Sequence, residues 1–210
     1  MYLPPHFRVD ELNIQQDLIQ NHPLGLLVSH GDEGLAANPI PFVLDRDAGK
    51  CGCLRGHLAR SNTQWSEFAL NPQALVIFSG LDHYISPSYY PSKQEHGKVV
   101  PTWNFIQVHV YGHVKIHEDA EWLRAQIGAL TQQQEGKRAL PWAVEDAPEP
   151  FIAAQMRAIV GLEIHIDRIE GKWKLSQNRL AEDQQGVHQG LSTEDDATAQ
   201  AMAGMIPRSS

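Results

Sequence analysis

Residues 106–117 read Ile-Gln-Val-His-Val-Tyr-Gly-His-Val-Lys-Ile-His, and their spacing decides between two kinds of fold. His109, His113 and His117 fall at i, i+4 and i+8, which on a helix would align three imidazoles as metal ligands. Ile106, Val108, Val110, Val114 and Ile116, however, alternate with Gln107, His109, Tyr111, His113, Lys115 and His117, the period of a strand with one buried face. Four residues of a strand span about 13 Å, too far for one ion. The stretch predicts a strand with a polar face and argues against a metal shared by these histidines.

The surroundings are also rich in strands. Ala74–Ser79 (Ala-Leu-Val-Ile-Phe-Ser) is a buried strand. Leu24–Ser29 is another, followed by a turn at Gly31-Asp32-Glu33-Gly34 and by Leu35–Leu44, which Pro39 and Pro41 place at an edge or bulge. Cys51–Ala59 reads as a further strand. Helices are expected over 10–21, 61–71, 119–134 and 148–158, and Glu118, Asp119 and Glu121 suit the start of the third. Residues 82–104, rich in Pro, Ser and Tyr, predict an ordered, functional lid. Ala158–Ile169 and Trp173–Leu175 predict a hairpin turning at Glu170-Gly171-Lys172. The fold class is α+β, mainly β: a barrel with peripheral helices. One domain is expected over 1–191, with a C-terminal tail over 192–210 that is weakly helical or disordered.

Composition narrows the function. The chain has 210 residues and a formal charge of -8, which opposes a free-standing nucleic-acid binder relying on a basic patch. With 42% hydrophobic and 20% charged residues it is not a disordered chain. No apolar run approaches the ~18 residues of a membrane span. Met-Tyr-Leu-Pro-Pro-His-Phe lacks the basic and apolar regions of a signal peptide. A cytoplasmic protein is expected. Cys51 and Cys53 would share one face if both lay on a strand. Two thiols do not complete a zinc site, and they read as small apolar residues.

Three stretches suggest a ligand. Gly56–Trp65 (Gly-His-Leu-Ala-Arg-Ser-Asn-Thr-Gln-Trp) places Arg60 before a helix capped by Ser61 or Asn62, an arrangement suited to a phosphate monoester. Lys98–Asn104 sets Thr102 and Asn104 around Trp103. Lys172–Arg179 combines three cations, Trp173, Gln177 and Asn178. Flat heteroaromatic ligands are held by apolar walls and a few placed amides and hydroxyls, so the three stretches together point to a ligand with a phosphate and a polar ring system.

These residues resemble a known family. MYLPPHF, GHLARSNTQW, ALVIF followed by YISPSYYPSK, GKVVPTWNF, AIVGLEI and EGKWKLSQNR look like the PaiB-like family, whose members are described as FMN-binding negative transcriptional regulators. The blocks run in family order from residue 1 to about 191. The resemblance implies an FMN-binding split β-barrel, similar to pyridoxamine-phosphate oxidase, acting as a homodimer with flavin at the interface. It implies phosphate contacts from His57, Leu58, Arg60, Ser61 and Asn62, with Asn62-Thr63-Gln64 standing where a Ser-Arg-Lys cluster is usual. The strand around Asn38, Ile40 and Pro41 would offer backbone groups to the ring. Thr102, Trp103, Asn104 and Gln107 would line its edge, and Trp173, Lys174, Gln177 and Asn178 would close the pocket. The acidic composition and the absence of a helix-turn-helix pattern favour regulation through flavin redox or sensing over direct DNA binding. The alternatives are a flavin-dependent oxidoreductase acting on a small molecule, for which no catalytic residue stands out, and a haem-binding split barrel using one histidine of the polar row.

Overall fold

The computed structural model describes residues 1–32 and 34–207. Strand β1 (Arg8–Val9) and helix α1 (Leu12–Asn21) lead into β2 (Leu24–Gly31), β3 (Gly34–Pro41), β4 (Val43–Asp45) and β5 (Cys53–Ala59). A single helical turn, α2 (Gln64–Glu67), precedes β6 (Gln73–Ile85); a second, α3 (Ser92–His96), precedes β7 (Thr102–His117). Helices α4 (Ala120–Glu135) and α5 (Glu149–Arg157), strand β8 (Ile159–Lys174), and helices α6 (Ala181–Ser192) and α7 (Ala197–Met205) complete the chain. The strand order is β3-β2-β6-β7-β8-β5-β4, with β1 on β8. The pairings β1–β8, β2–β3, β2–β6, β4–β5 and β5–β8 are antiparallel.

The chain divides into two compact units: Leu12–Phe78 with His109–Ile169, and Met1–Glu11 with Ser79–Val108 and the described part of Glu170–Ser210. Strands β6, β7 and β8 contribute residues to both. In the larger unit the core is built by the alternate residues of its strands, among them Leu27, Val76, Phe78, Leu54, Val110, Leu162 and Ile164, each fully buried. At about 1.5–3 kcal/mol for each large apolar side chain removed from water, this alternation is the main local source of stability. In the smaller unit Ile85, Val187, Leu191, Ala199 and Met202 are fully buried. Among the described residues, no helix is long and apolar enough to cross a membrane.

Strand β7 has the predicted alternation: Asn104, Ile106, Val108, Val110, Gly112 and Val114 are buried, and the histidines lie on the other face. Helix α4 begins where Asp119 accepts a hydrogen bond from the Trp122 amide, so the acidic start is a cap. Pro39 and Pro41 lie on β3, a terminal strand, where missing N–H donors cost no ladder bond to a further strand.

Several expectations are corrected. Glu170-Gly171-Lys172 is no turn, because β8 runs unbroken through it. Gly171 and Lys172 pair with Val9 and Arg8, and Gly171 is not among the glycines of positive φ. Residues 82–104 are not one loop. Asp82–Ile85 extend β6, and Ser86 accepts a bond from the Ser88 amide to cap a 3-10 turn over Pro87–Tyr89. Gly97, at φ +64°, then ends α3. The helix expected over 61–71 shrinks to the single turn Gln64–Glu67, after which the amides of Ala69 and Leu70 bond three residues back, to Ser66 and Glu67, in tighter turns. Cys51 lies in a turn and only Cys53 in a strand, so the two thiols do not share a strand face. The turn at Gly31–Gly34 is a tight hairpin pairing Gly31 with Gly34, with Glu33 outside the described residues.

Candidate functional site

In the larger unit, Gln64 is the hub of a buried polar network. Its amide nitrogen donates to the Leu27 carbonyl and the Ser29 hydroxyl, both at 3.1 Å, and its oxygen accepts from the Asn38 amide at 2.9 Å. Ser29 in turn donates to Glu67, and Asn62 accepts from the Gln64 backbone amide at 3.0 Å. Asn38 and Asn62 therefore organise the α2 turn against the β2–β3 hairpin, and leaving Gln64 unpaired would cost about 1–3 kcal/mol. Ile40 and Leu58 are core residues, Pro41 is half-buried, and Ser61 is exposed.

Arg60 is extensively engaged. Its guanidinium donates to Glu118 and to the carbonyls of Arg157 at 3.1 Å and Ile159 at 3.3 Å. With a carboxylate in contact and only one helical turn following, the positive field expected for a phosphate is reduced there. The His57 ring nitrogen Nδ1 lies 2.7 Å from the Gln126 side-chain oxygen. That bond leaves Gln126 Nε2 buried with no hydrogen-bond partner among the described residues. Gln126 faces a cleft of about 300 Å³ lined also by Val43, Arg55, Trp122 and Glu163.

In the smaller unit, Lys174 donates to the Thr102 hydroxyl and the Trp103 carbonyl. Burial, and then the charges of Lys172 and Arg179, lower its pKa, which marks a locally positive environment. Asn104, fully buried, exchanges hydrogen bonds with Ser176 at 3.0 and 3.3 Å. Ser176 is the one non-glycine of positive φ among the described residues, at +66°. Such a conformation is sparsely populated, and here the buried Asn104 contact and the Gln177 bonds to Leu175 and Trp173 hold it. Gln107 donates to Ser79, and both border a cleft of about 350 Å³ that includes Trp103, Phe105 and Asp82. Trp103 is 54% exposed and meets Tyr84 edge to face. Asn178 is exposed and Trp173 half-buried. Thr102, Trp103, Asn104, Lys174 and Gln177 are thus gathered by the start of β7 and the end of β8.

Sequence reasoning missed Gln64, Ser29 and Glu67, whose network has no local signal beyond the NTQW motif. It also missed a cleft of about 420 Å³ in the larger unit that includes Tyr111, His113, Asp167 and Arg168. There His113 pairs with Asp167 at 2.5 Å and Arg168 lies over the Tyr111 ring at 3.6 Å. Only the polar face of β7 hinted at it.

The donor set at the start of β7 and the end of β8 fits a flavin: an exposed indole beside a cleft, the buried Asn104 amide with the Ser176 hydroxyl, the Thr102 hydroxyl, and a cation in a positive environment. The fold places the chain in the class of split β-barrels, mainly β with peripheral helices. The chain is similar in fold to a conserved hypothetical protein from Mycobacterium tuberculosis (TM-score 0.60, 15% identity, 86% of this chain and 94% of that one). Residues 1–168 match the family described as "Putative FMN-binding domain"; the chain belongs to that family, and its cofactor is FMN. It is 29% identical to the protease synthase and sporulation protein PAI 2 of Bacillus subtilis over 98% of this chain and 96% of that protein. An uncharacterized protein of Emericella nidulans is 32% identical over 98% and 96%. These matches bear out the PaiB-like resemblance drawn from the motifs.

Proposed function

We propose that this protein is a homodimeric regulator that acts through the oxidation state of its FMN rather than by gripping operator DNA. The observation carrying the flavin part is the Lys174 group. A partly buried cation, the Thr102 hydroxyl, the Asn104–Ser176 pair and the exposed Trp103 indole lie close together, which is donor chemistry for a flat ring with polar edges. FMN supplies one- and two-electron redox chemistry when bound. The chain's own part is to bind and orient it. Thr102, Asn104, Gln107 and Lys174 serve the ring edge, Trp173, Gln177 and Asn178 form the closing segment, and Asn38, Ile40 and Pro41 offer backbone groups. His57, Leu58, Arg60, Ser61 and Asn62 form the segment for the phosphate.

Two observations support the remaining parts. Cross-strand pairing sets Leu24, Leu26 and Leu35 on one face of the β2–β3 hairpin, all exposed, which suits burial against a second copy. Arg124 of α4 is paired with Glu149 at 2.9 Å and Glu145 at 3.7 Å, so acidic neighbours already neutralise it, as the net charge of -8 foreshadows.

The test is a titration of the purified full chain with FMN and with riboflavin, followed by a gel-shift series at low salt with oxidised and reduced protein. FMN binding in preference to riboflavin is expected, with no specific DNA shift in either state. Equal affinity for riboflavin would remove phosphate recognition, and a specific shift would replace the indirect reading with direct DNA binding.

A further inference from the structure

The smaller unit contains a cluster that the flavin reading does not use. His83, at the end of β6, has Nε2 3.5 Å from Glu194 Oε2 and 3.5 Å from Asp196 Oδ2. The three donor atoms all lie within 4.8 Å of one another. Glu194 and Asp196 follow α6 and lie beyond residue 168, where the family match ends. We propose that His83, Glu194 and Asp196 form a binding site for a divalent first-row transition ion such as Zn²⁺.

The distances favour an ion over an ion pair. A charge-assisted N–H···O bond has its heavy atoms about 2.7–2.9 Å apart, and neither carboxylate approaches that closely. Donor atoms held about 2.0–2.2 Å from a tetrahedral ion stand roughly 3.3–3.6 Å from one another, the spacing that His83 keeps to both carboxylates.

Each ligand is also oriented by a separate partner. His83 Nδ1 lies 2.7 Å from the Tyr84 carbonyl, which can only accept, so Nδ1 donates there and Nε2 is the ring atom left facing the two carboxylates. Glu194 Oε1 accepts from the Tyr89 hydroxyl, leaving Oε2 towards His83. Asp196 Oδ1 accepts from the Thr198 amide at 2.8 Å as the cap of α7, leaving Oδ2 towards His83. One imidazole and two carboxylates carry two negative charges, which a divalent ion balances. The imidazole selects transition ions over Mg²⁺ or Ca²⁺, and a fourth position is left for water.

The experiment is calorimetric titration of the chelator-stripped full chain with Zn²⁺, with Co²⁺ absorption as the spectroscopic reading. One equivalent should bind, with visible bands from Co²⁺. His83→Ala and Asp196→Asn should each weaken binding at least a hundredfold. Tyr89→Phe, which keeps all three ligands, should weaken it about tenfold, the usual effect of losing a group that orients a ligand. Absence of one-equivalent binding, or unchanged affinity in folded His83→Ala, overturns the site. FMN titration of the same samples reads the flavin proposal separately.

Discussion

Lys174 and Arg60 are both cations in segments assigned to FMN, yet their surroundings differ. Arg60 already contacts Glu118 and two backbone carbonyls, whereas Lys174 is partly buried near Lys172 and Arg179 and, among the described residues, bonds the neutral oxygens of Thr102 and Trp103. Lys174→Ala is therefore expected to weaken FMN by about 1.5–3 kcal/mol, the range for hydrogen bonds to charged groups, and Arg60→Ala by less. Fluorescence titration of both variants checks the order, and the reverse order would move the principal cation to Arg60. The two thiols contrast in a similar way. Burial pushes Cys53 up to about 11, so its thiolate is scarce at neutral pH, while Cys51 lies half-exposed in a turn. A thiol reagent should titrate one cysteine in the native protein and two after unfolding. Two fast thiols in the native state would contradict the buried position of Cys53.

Strand β7 shows how tightly the elements are fitted. A Cβ on Gly112 would lie 2.1 Å from the His165 carbonyl oxygen of β8, a backbone atom with little room to move. Gly112→Ala should cost about 1–3 kcal/mol as overpacking, lowering Tm by about 2–4 °C for each kcal/mol. An unchanged Tm would mean that β7 and β8 part without cost there. Helix α7 is more than a loose end. Ala199, Met202, Ala203 and Ile206 are buried. Met202→Ala should cost about 2–5 kcal/mol, read from denaturant unfolding, whereas a solvated tail would show no loss. These buried positions recur at helical spacing within the stretch expected as a weakly helical or disordered tail over 192–210. The helix packs on α6, the helix just before it in the chain.

Across the molecule, ligand linkage gives a direct check of the cofactor. A ligand bound only by the native state at a hundred times its dissociation constant stabilises it by about 2.7 kcal/mol, so saturating FMN should raise Tm by roughly 5–10 °C. Riboflavin should raise it less, and a flat response to both would separate this chain from its family's cofactor.

The alternation of 106–117, the Asp119 cap and the edge position of Pro39 and Pro41 are legible because each is a short-range matter of side-chain facing, an orphan amide or a missing donor. The same local reasoning misplaces a turn at Glu170–Lys172, since the partner that keeps those residues extended is Arg8–Val9, at the far end of the chain. It finds GHLARSNTQW and PTWN as unusual stretches. It does not foresee that Glu118 neutralises Arg60, or that Gln64 is buried between Asn38 and Ser29. It gives no hint that His83 meets Glu194 and Asp196 across more than a hundred residues. Local sequence specifies which way a side chain faces and where an element begins, because those depend on neighbours a few bonds away. The meeting of charges and ligands from distant segments follows from the packing of the whole chain, and there the structure settled what each singled-out residue touches.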